Sequence, residues 1–145
     1  MAGFRASEHI DRAPEEVFEY ATSFENLPEW MPGVTHVEVI TDGPVSVGTR
    51  FRETRVAGGG EGQAEMEVTA YEPPHRYATA FTVGGYEAAY NYLLNAEDSG
   101  TRVELEFVLG GRGLRRLMVP IVGWVMKRHD KDQLASLKVA IERND

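Results

Sequence analysis

Hydrophobic and polar positions alternate with a period of two through most of the chain and change to a helical period in only two places. The alternation is clearest in residues 101–109, where Val103, Leu105 and Phe107 alternate with charged side chains. A period of two predicts antiparallel strands with one face toward a core and the other toward water. The predicted strands, in chain order, are 4–11, 34–40, 49–56, 63–71, 76–83, 86–96 and 101–109.

Glycine and proline mark the connections between these strands. Residues 58–62 include four glycines and lie between two strands. We interpret them as a hairpin loop, because a phosphate-binding loop opens a helix and none follows here. The alternative is a mobile loop that gates an opening. Residues 84–85 are predicted to form a tight turn.

Two short helices are predicted between the first and second strands. Pro14 suits the first helical position, and the acidic residues after it suit the positive end of the helix dipole. Val17 and Phe18 supply its buried face. A second helix is predicted over 26–30, with Asn26 as its N-cap.

The last stretch, 113–143, is predicted to be one helix of about eight turns. Residues 117–126 are apolar on every side, and Leu134, Leu137 and Ile141 continue as a single stripe. The uncharged run is about ten residues, which is too short to cross a bilayer. We therefore expect a curved sheet to cover it on more than one side, and Pro120 to kink or break it.

These elements predict an α+β fold in a single domain, 1–145. A curved seven-stranded antiparallel sheet would surround a long C-terminal helix, with two short helices after strand 1. A ligand site would lie in the space left between sheet and helix.

Strand alternation assigns side chains to the inner face of the sheet. Several are aromatic and are predicted to bind a ligand, together with Trp30 of the second short helix. Tyrosines at the margin of the sheet, with their hydroxyls in water, are the alternative for this row. The predicted ligand-binding residues of the sheet are Phe51, Tyr77, Phe81, Tyr90 and Tyr92.

Glu53 and Arg55 share the same face and lie about 7 Å apart along one strand. If they are enclosed, each needs a partner, and an enclosed carboxylate is a candidate acid or base. We name both as candidate catalytic residues, with a structural or ligand-orienting role as the alternative. Asn91 is a weaker polar contact because alternation places it on the opposite face.

The long helix is predicted to complete the site. Met118 and Met126 suit an adaptable apolar lining, with plain core packing as the alternative, and Trp124 lies on the stripe extended backward from Leu134. Asp130 lies on the same stripe, as a ligand contact or as a solvated residue at the mouth of a cavity.

Composition and charge argue against several classes of function. The net charge of −8 excludes nonspecific nucleic-acid binding, although residues from 112 onward carry eight Lys/Arg against four Asp/Glu. There is no cysteine, and the four histidines lack metal-ligand spacing, so we expect no metal and no cofactor. The first residues contain no apolar signal segment, and we expect a cytoplasmic protein.

Several segments in this order resemble the polyketide cyclase/dehydrase-like group of the START-related, birch-allergen-like superfamily known as SRPBCC. They are IDRAPEEVF (10–18), LPEW (27–30), VGTRF (47–51), YEPPHR (71–76) and GTRVEL (100–105). The resemblance covers nearly the whole chain. It implies a helix-grip fold with a hydrophobic cavity and, for function, binding of lipids, hormones or polyketides, or polyketide cyclisation and dehydration.

Three functions remain open at this point. The first is binding of a hydrophobic or aromatic small molecule, lipid- or polyketide-like, between sheet and helix. The second is a polyketide cyclase or dehydratase that uses acid/base residues there. The third is a protein- or membrane-interaction module, without stable membrane insertion, in which the apolar half-helix docks on a partner or forms a homodimer.

Overall fold

The computed structural model describes residues 2–57, 60–83, 85–130 and 132–143. Within these residues seven antiparallel strands form a curved sheet in the order β1-β7-β6-β5-β4-β3-β2. Each strand from β2 to β6 pairs with the next strand in sequence, and β1 pairs with β7. The strands are β1 Ala2–Ile10, β2 Val34–Val39, β3 Arg50–Ala57, β4 Gly60–Glu72, β5 Arg76–Val83, β6 Tyr86–Glu97 and β7 Gly100–Gly110.

All seven predicted strands are confirmed, and most of them run one to three residues further than predicted at one end or both. β3 and β4 continue into the glycine segment, where Arg55 pairs with Gly62 and Ala57 pairs with Gly60. The predicted loop is therefore shorter, because glycine tolerates a strand when ladder hydrogen bonds hold it. Residues 58 and 59 of that loop, and residue 84 of the predicted turn, lie outside the described residues.

The two short helices are confirmed as α1 Pro14–Thr22 and α2 Leu27–Trp30, with a 3-10 turn at Phe24–Asn26 between them. Pro14 occupies the start of α1 as predicted. Asn26 occupies the N-cap position of α2 as predicted, but its side chain makes no capping hydrogen bond. Its side-chain amide instead donates to the carbonyl oxygen of Tyr20 at 3.2 Å, which ties α2 back to α1.

The long C-terminal helix consists of two segments, α3 Arg115–Asp130 and α4 Gln133–Arg143. Pro120 lies inside α3 and does not mark the interruption, which falls after residue 130. Proline leaves the carbonyl of the residue four positions earlier without its helical donor. Arg116 and Pro120 are both exposed, so water can reach that carbonyl and the helix continues.

The core lies between the concave face of the sheet and the helices α1, α2 and α4. α4 packs against β1, α1 and α2 through Leu134, Leu137, Ala140 and Ile141, all buried. A fully buried leucine side chain contributes about 2 kcal/mol. The predicted stripe of α4 is therefore the contact that holds the helix on the sheet.

α3 is covered on one side only, contrary to prediction. It packs on β1 and β7 through buried Val119 and Gly123, while Leu117 and Ile121 on its other side are exposed. The described helices and strands adjoin the inner side of α3, so its outer apolar surface is left uncovered.

Candidate functional site

A small inner cavity lies between the concave face of the sheet and the helices α1, α2 and α4. Its volume is about 20 Å³, enough for about one water molecule. Its walls are almost entirely apolar or aromatic. They are formed by Val17, Phe18, Ala21, Thr22, Leu27, Trp30, Met31, Phe51, Glu53, Met66, Tyr77, Thr79, Tyr90, Tyr92, Leu94, Val103 and Leu137.

A larger outer chamber lies beside it, between the ends of β3 and β4, the residues after α2, and α3. Its volume is about 470 Å³, within the range of small-molecule sites in proteins. Its lining combines apolar side chains with a few polar groups. The lining residues are Pro32, Gly33, Glu53, Arg55, Val56, Gly60, Glu61, Gly62, Gln63, Ala64, Met66, Phe81 and Met126.

Glu53 and Met66 line both cavities and stand between them. Both point inward because they share the inner face of adjacent strands, where Phe51 pairs with Met66 and Glu53 pairs with Ala64. Each side chain is 2% exposed. Methionine is unbranched and adaptable, so the wall contains one side chain able to move aside.

Arg55 and Glu53 form an ion pair inside this wall. Arg55 Nη2 donates to Glu53 Oε1 at 3.2 Å. The arginine side chain is 24% exposed, whereas the carboxylate is almost fully enclosed. The pair therefore presents a guanidinium group to the outer chamber and keeps a carboxylate at the boundary with the inner cavity.

A stack of aromatic rings fills much of the interior between sheet and helices, which is why the inner cavity is small. Ring centroids lie 6.1 Å apart for Tyr77 and Tyr92, 6.3 Å for Tyr90 and Tyr92, and 5.7 Å for Phe81 and Tyr90. The three tyrosines are buried. They are therefore not tyrosines at the margin of the sheet, and their rings form the floor of the inner cavity.

Tyr77 stays protonated in this setting. Burial raises the pKa of its hydroxyl, and the negative charge of Glu53 and the neighbouring Tyr71 raise it further. A neutral phenol donates a hydrogen bond and does not compete with Glu53 for positive charge.

Two buried donors at this end of the fold have no partner among the described residues. They are the indole Nε1 of Trp30 and the amide Nε2 of Gln133. Gln133 uses its Oε1 to accept a hydrogen bond from the Tyr92 hydroxyl, which links α4 to β6. Because a buried donor without an acceptor is costly, Trp30 marks a place where an acceptor atom is favoured.

The structure brings most of the predicted site residues together but divides them between two cavities. Trp30, Phe51, Tyr77, Tyr90 and Tyr92 line the inner one, together with Glu53. The predicted residues Arg55 and Phe81 line the outer chamber.

Two predicted ligand-binding residues, Met118 and Trp124, are placed elsewhere. Met118 and Trp124 are 45% and 58% exposed on the outer side of α3, and neither is among the described side chains that line the cavities. The side chain of Asp130 lies outside the described residues. Asn91 lies on the outer face of the sheet, as alternation predicted, where its Oδ1 accepts from Arg76 Nε at 3.1 Å.

Sequence reasoning did not assign Met66 or Gln133 to the site. Met66 was detectable, because it alternates with Ala64 on the inner face of β4. Gln133 lies four residues before Leu137 and so shares the packed face of α4. Met126, predicted with Met118 to line the site, does line the outer chamber.

The described residues offer no evident metal site, since no three His, Asp or Glu side chains among them are grouped closely enough to hold an ion. None of the described helices has the length and uninterrupted apolar character needed to cross a lipid bilayer.

Comparison with known protein families shows which family the chain belongs to. The family model described as "Polyketide cyclase / dehydrase and lipid transport" matches residues 1–142. The chain belongs to this family. No curated protein is significantly similar to it in sequence.

Solved structures show the same helix-grip fold at low sequence identity. TTHA0849 from Thermus thermophilus has a TM-score of 0.79 at 22% identity, with 99% of each chain covered. Ara h 8.0201 has a TM-score of 0.75 at 15% identity, with 97% of each chain covered. The di-domain ARO/CYC BexL from the BE-7585A biosynthetic pathway has a TM-score of 0.81 at 17% identity, and the alignment covers 98% of this chain and 47% of BexL. These likenesses concern the fold.

Proposed function

We propose that this member of the polyketide cyclase/dehydrase and lipid transport family binds an apolar, ring-containing small molecule in the outer chamber, with its polar end directed to the inner cavity. The observation that carries the proposal is the shared wall of Glu53 and Met66 between a chamber of about 470 Å³ and a cavity lined by Trp30, whose indole N–H has no partner among the described residues. A ligand that fills the chamber and extends past Met66 would occupy the chamber and offer the Trp30 N–H an acceptor.

The lining defines the chemistry of the ligand. Phe81, Met126 and Ala64 offer apolar contact to a hydrophobic body, and Arg55 offers a cation beside it. Trp30 Nε1 only donates, so the group that enters the inner cavity is an acceptor such as a carbonyl or hydroxyl oxygen. A ligand that ends in an ammonium group would leave that donor unsatisfied.

The relatives support a ligand of this class. The family description names polyketide cyclase, dehydrase and lipid transport, all of which act on largely apolar molecules. BexL is a di-domain ARO/CYC of a biosynthetic pathway.

A second candidate function is acid/base catalysis on such a ligand. It is favoured by the position of Glu53, a buried carboxylate whose charge acts on the neutral Tyr77 phenol. Glu53 would remove a proton next to a ligand carbonyl, Arg55 would stabilise the enolate oxygen, and Glu53 would return the proton to a departing hydroxyl as water leaves. In that case Glu53→Gln abolishes turnover while binding persists, and unchanged turnover removes Glu53 from the mechanism.

Binding is tested with two probes, 1-tetralone and tetralin, which share a bicyclic ring system and differ only in a carbonyl. Both should raise the melting temperature in a concentration-dependent way, and the ketone should do so at lower concentration. Trp30→Phe should make the two probes stabilise the protein equally. Because both probes are compared on the same variant, any loss of folding stability cancels. If no apolar aromatic compound stabilises the protein, the proposal fails.

A further inference from the structure

The outer side of α3 is an apolar ridge that the described part of the protein leaves uncovered. It is formed by five large hydrophobic side chains of α3 and by Leu114 in the turn just before the helix, and several of them are more than half exposed. They are Leu114 (84% exposed), Leu117 (76%), Met118 (45%), Ile121 (56%), Trp124 (58%) and Val125 (42%).

These side chains share one side of the helix through helical spacing. Positions 117, 121 and 124 of α3 are separated by three or four residues and so follow one another along its surface, and Leu114 directly precedes the helix. The opposite side packs on the body of the protein through Val119, Gly123 and half-buried Met126. The ridge is therefore convex, and its residues do not form a groove able to receive another chain.

The charged residues of the segment that carries the ridge are all basic, and one of them, Arg112, lies 3.8 Å from the Glu87 carboxylate. Residues 112–128 contain five Lys or Arg and no Asp or Glu, in a chain whose net charge is −8. The guanidinium of Arg128 lies 5.0 Å from the centre of the Trp124 ring, so a cation and an aromatic side chain sit together at one end of the ridge.

The charge distribution distinguishes between possible occupants. A symmetric dimer through this surface would bring two copies of the same basic segment together. Like charges would then oppose the apolar contact. An anionic partner gains from both features, since the cations remain beside it while the apolar side chains are buried.

We propose that the ridge, Leu114 to Val125 with its flanking basic residues, docks the protein on the surface of an anionic lipid bilayer. A helix with Leu and Trp on one side and Lys and Arg beside them lies in the membrane interface with its apolar side buried about 5–10 Å deep. Tryptophan and arginine are characteristic of that boundary region. A bilayer surface also deforms around a convex helix, whereas a protein partner needs a matching groove.

Docking would place the ligand chamber near the bilayer, because Met126 on the inner side of the same helix lines that chamber. The inference goes beyond ligand binding and does not depend on it. A protein that binds no ligand still docks if the ridge is correctly assigned.

The test uses the full chain and sedimentation with phosphatidylcholine vesicles, with and without phosphatidylglycerol. Binding to the anionic vesicles is expected, with little binding to phosphatidylcholine alone and a decrease as salt rises. Ile121→Ser should weaken binding about tenfold or more. Val139→Ser is the matched control, because Val139 is 61% exposed on α4, away from the ridge, and should bind like the wild type.

The basic residues are tested in the same assay. Arg116→Gln should weaken binding about fivefold, as expected for loss of one cation near an anionic surface, while Arg143→Gln at the end of α4 should have little effect. Trp124 emission should shift to shorter wavelength with anionic vesicles, and Trp124→Phe should remove the shift.

Equal binding to both vesicle types, or unchanged binding by Ile121→Ser, would overturn the proposal. A dimer in sizing chromatography that Ile121→Ser separates, without vesicle binding, would assign the ridge to a second copy instead. Stabilisation by 1-tetralone should persist in Ile121→Ser, so failure of docking and failure of ligand binding are distinguishable.

Discussion

Arg55 donates a hydrogen bond to Glu53 at 3.2 Å, and of the two side chains only the arginine reaches solvent. A hydrogen bond to a charged group contributes about 1.5–3 kcal/mol, and removal of one partner also leaves the other charge enclosed. The pair therefore fixes the orientation of the carboxylate at the boundary between the two cavities.

Arg55→Met should lower the free energy of unfolding by about 2 kcal/mol, because it removes a donor from the enclosed Glu53 carboxylate. The double variant Glu53→Gln/Arg55→Met should lose less than the two single losses combined. Urea denaturation of the wild type, both single variants and the double variant measures the coupling. Additive losses would show that the two side chains do not stabilise each other.

Alkaline pH should destabilise the protein partly through Tyr77. The folded state raises the pKa of this hydroxyl, whereas a tyrosine in the unfolded chain ionises near about pH 10. Above that pH the unfolded chain loses a proton that the folded chain keeps, so the contribution to stability is complete below about pH 10 and falls as pH rises. Tyr77→Phe should flatten this part of the curve of unfolding free energy against pH. An unchanged slope would contradict the assignment.

The hydrogen bond from Tyr92 to Gln133 should behave as a coupled pair. Tyr92→Phe removes the donor to Gln133 Oε1, while Gln133 Nε2 already has no partner among the described residues. The variant should lower the free energy of unfolding by about 1–2 kcal/mol. Adding Gln133→Leu to this variant should recover much of the loss, because an apolar side chain needs no partner there. Thermal unfolding measures both. A further loss of stability on adding Gln133→Leu would contradict the coupling of the two side chains.

Filling the outer chamber should block ligand binding without unfolding the protein. Ala64 lies on the inner face of β4 and lines the chamber, so Ala64→Trp places a ring inside it. Glu67→Trp places the same ring on the exposed outer face of the same strand and is the matched control. The first should abolish stabilisation by 1-tetralone and the second should preserve it. Equal stabilisation of both variants would place the ligand elsewhere.

Strand alternation predicted the sheet and its inner face because each strand has only two faces. It therefore predicts that Glu53 and Arg55, two residues apart, share one face, and their ion pair confirms this. The helix could not be oriented in the same way, since residues 117–126 are apolar on every side and carry no preferred face. Met118 and Trp124 were therefore assigned to the cavity, although Val119, Gly123 and Met126 occupy the packed side.

The position and size of the cavities also lay beyond sequence reasoning. They depend on how far the stacked rings of Tyr77, Tyr90 and Tyr92 fill the interior, which follows from rotamers and sheet curvature. The unpartnered Trp30 indole is likewise a property of packing. Nothing in its sequence context distinguishes it from a tryptophan whose N–H is satisfied.

The indole N–H resonances of Trp30 and Trp124 test the central claim most directly, because the chain has two tryptophans, one buried and one exposed. On addition of 1-tetralone, a two-dimensional ¹H–¹⁵N spectrum should show the Trp30 signal move downfield as its N–H gains an acceptor, while the Trp124 signal stays in place. A Trp30 signal that does not move at a saturating concentration, while that of Trp124 does, would show that apolar ligands bind the outside of α3 and would contradict the proposed site.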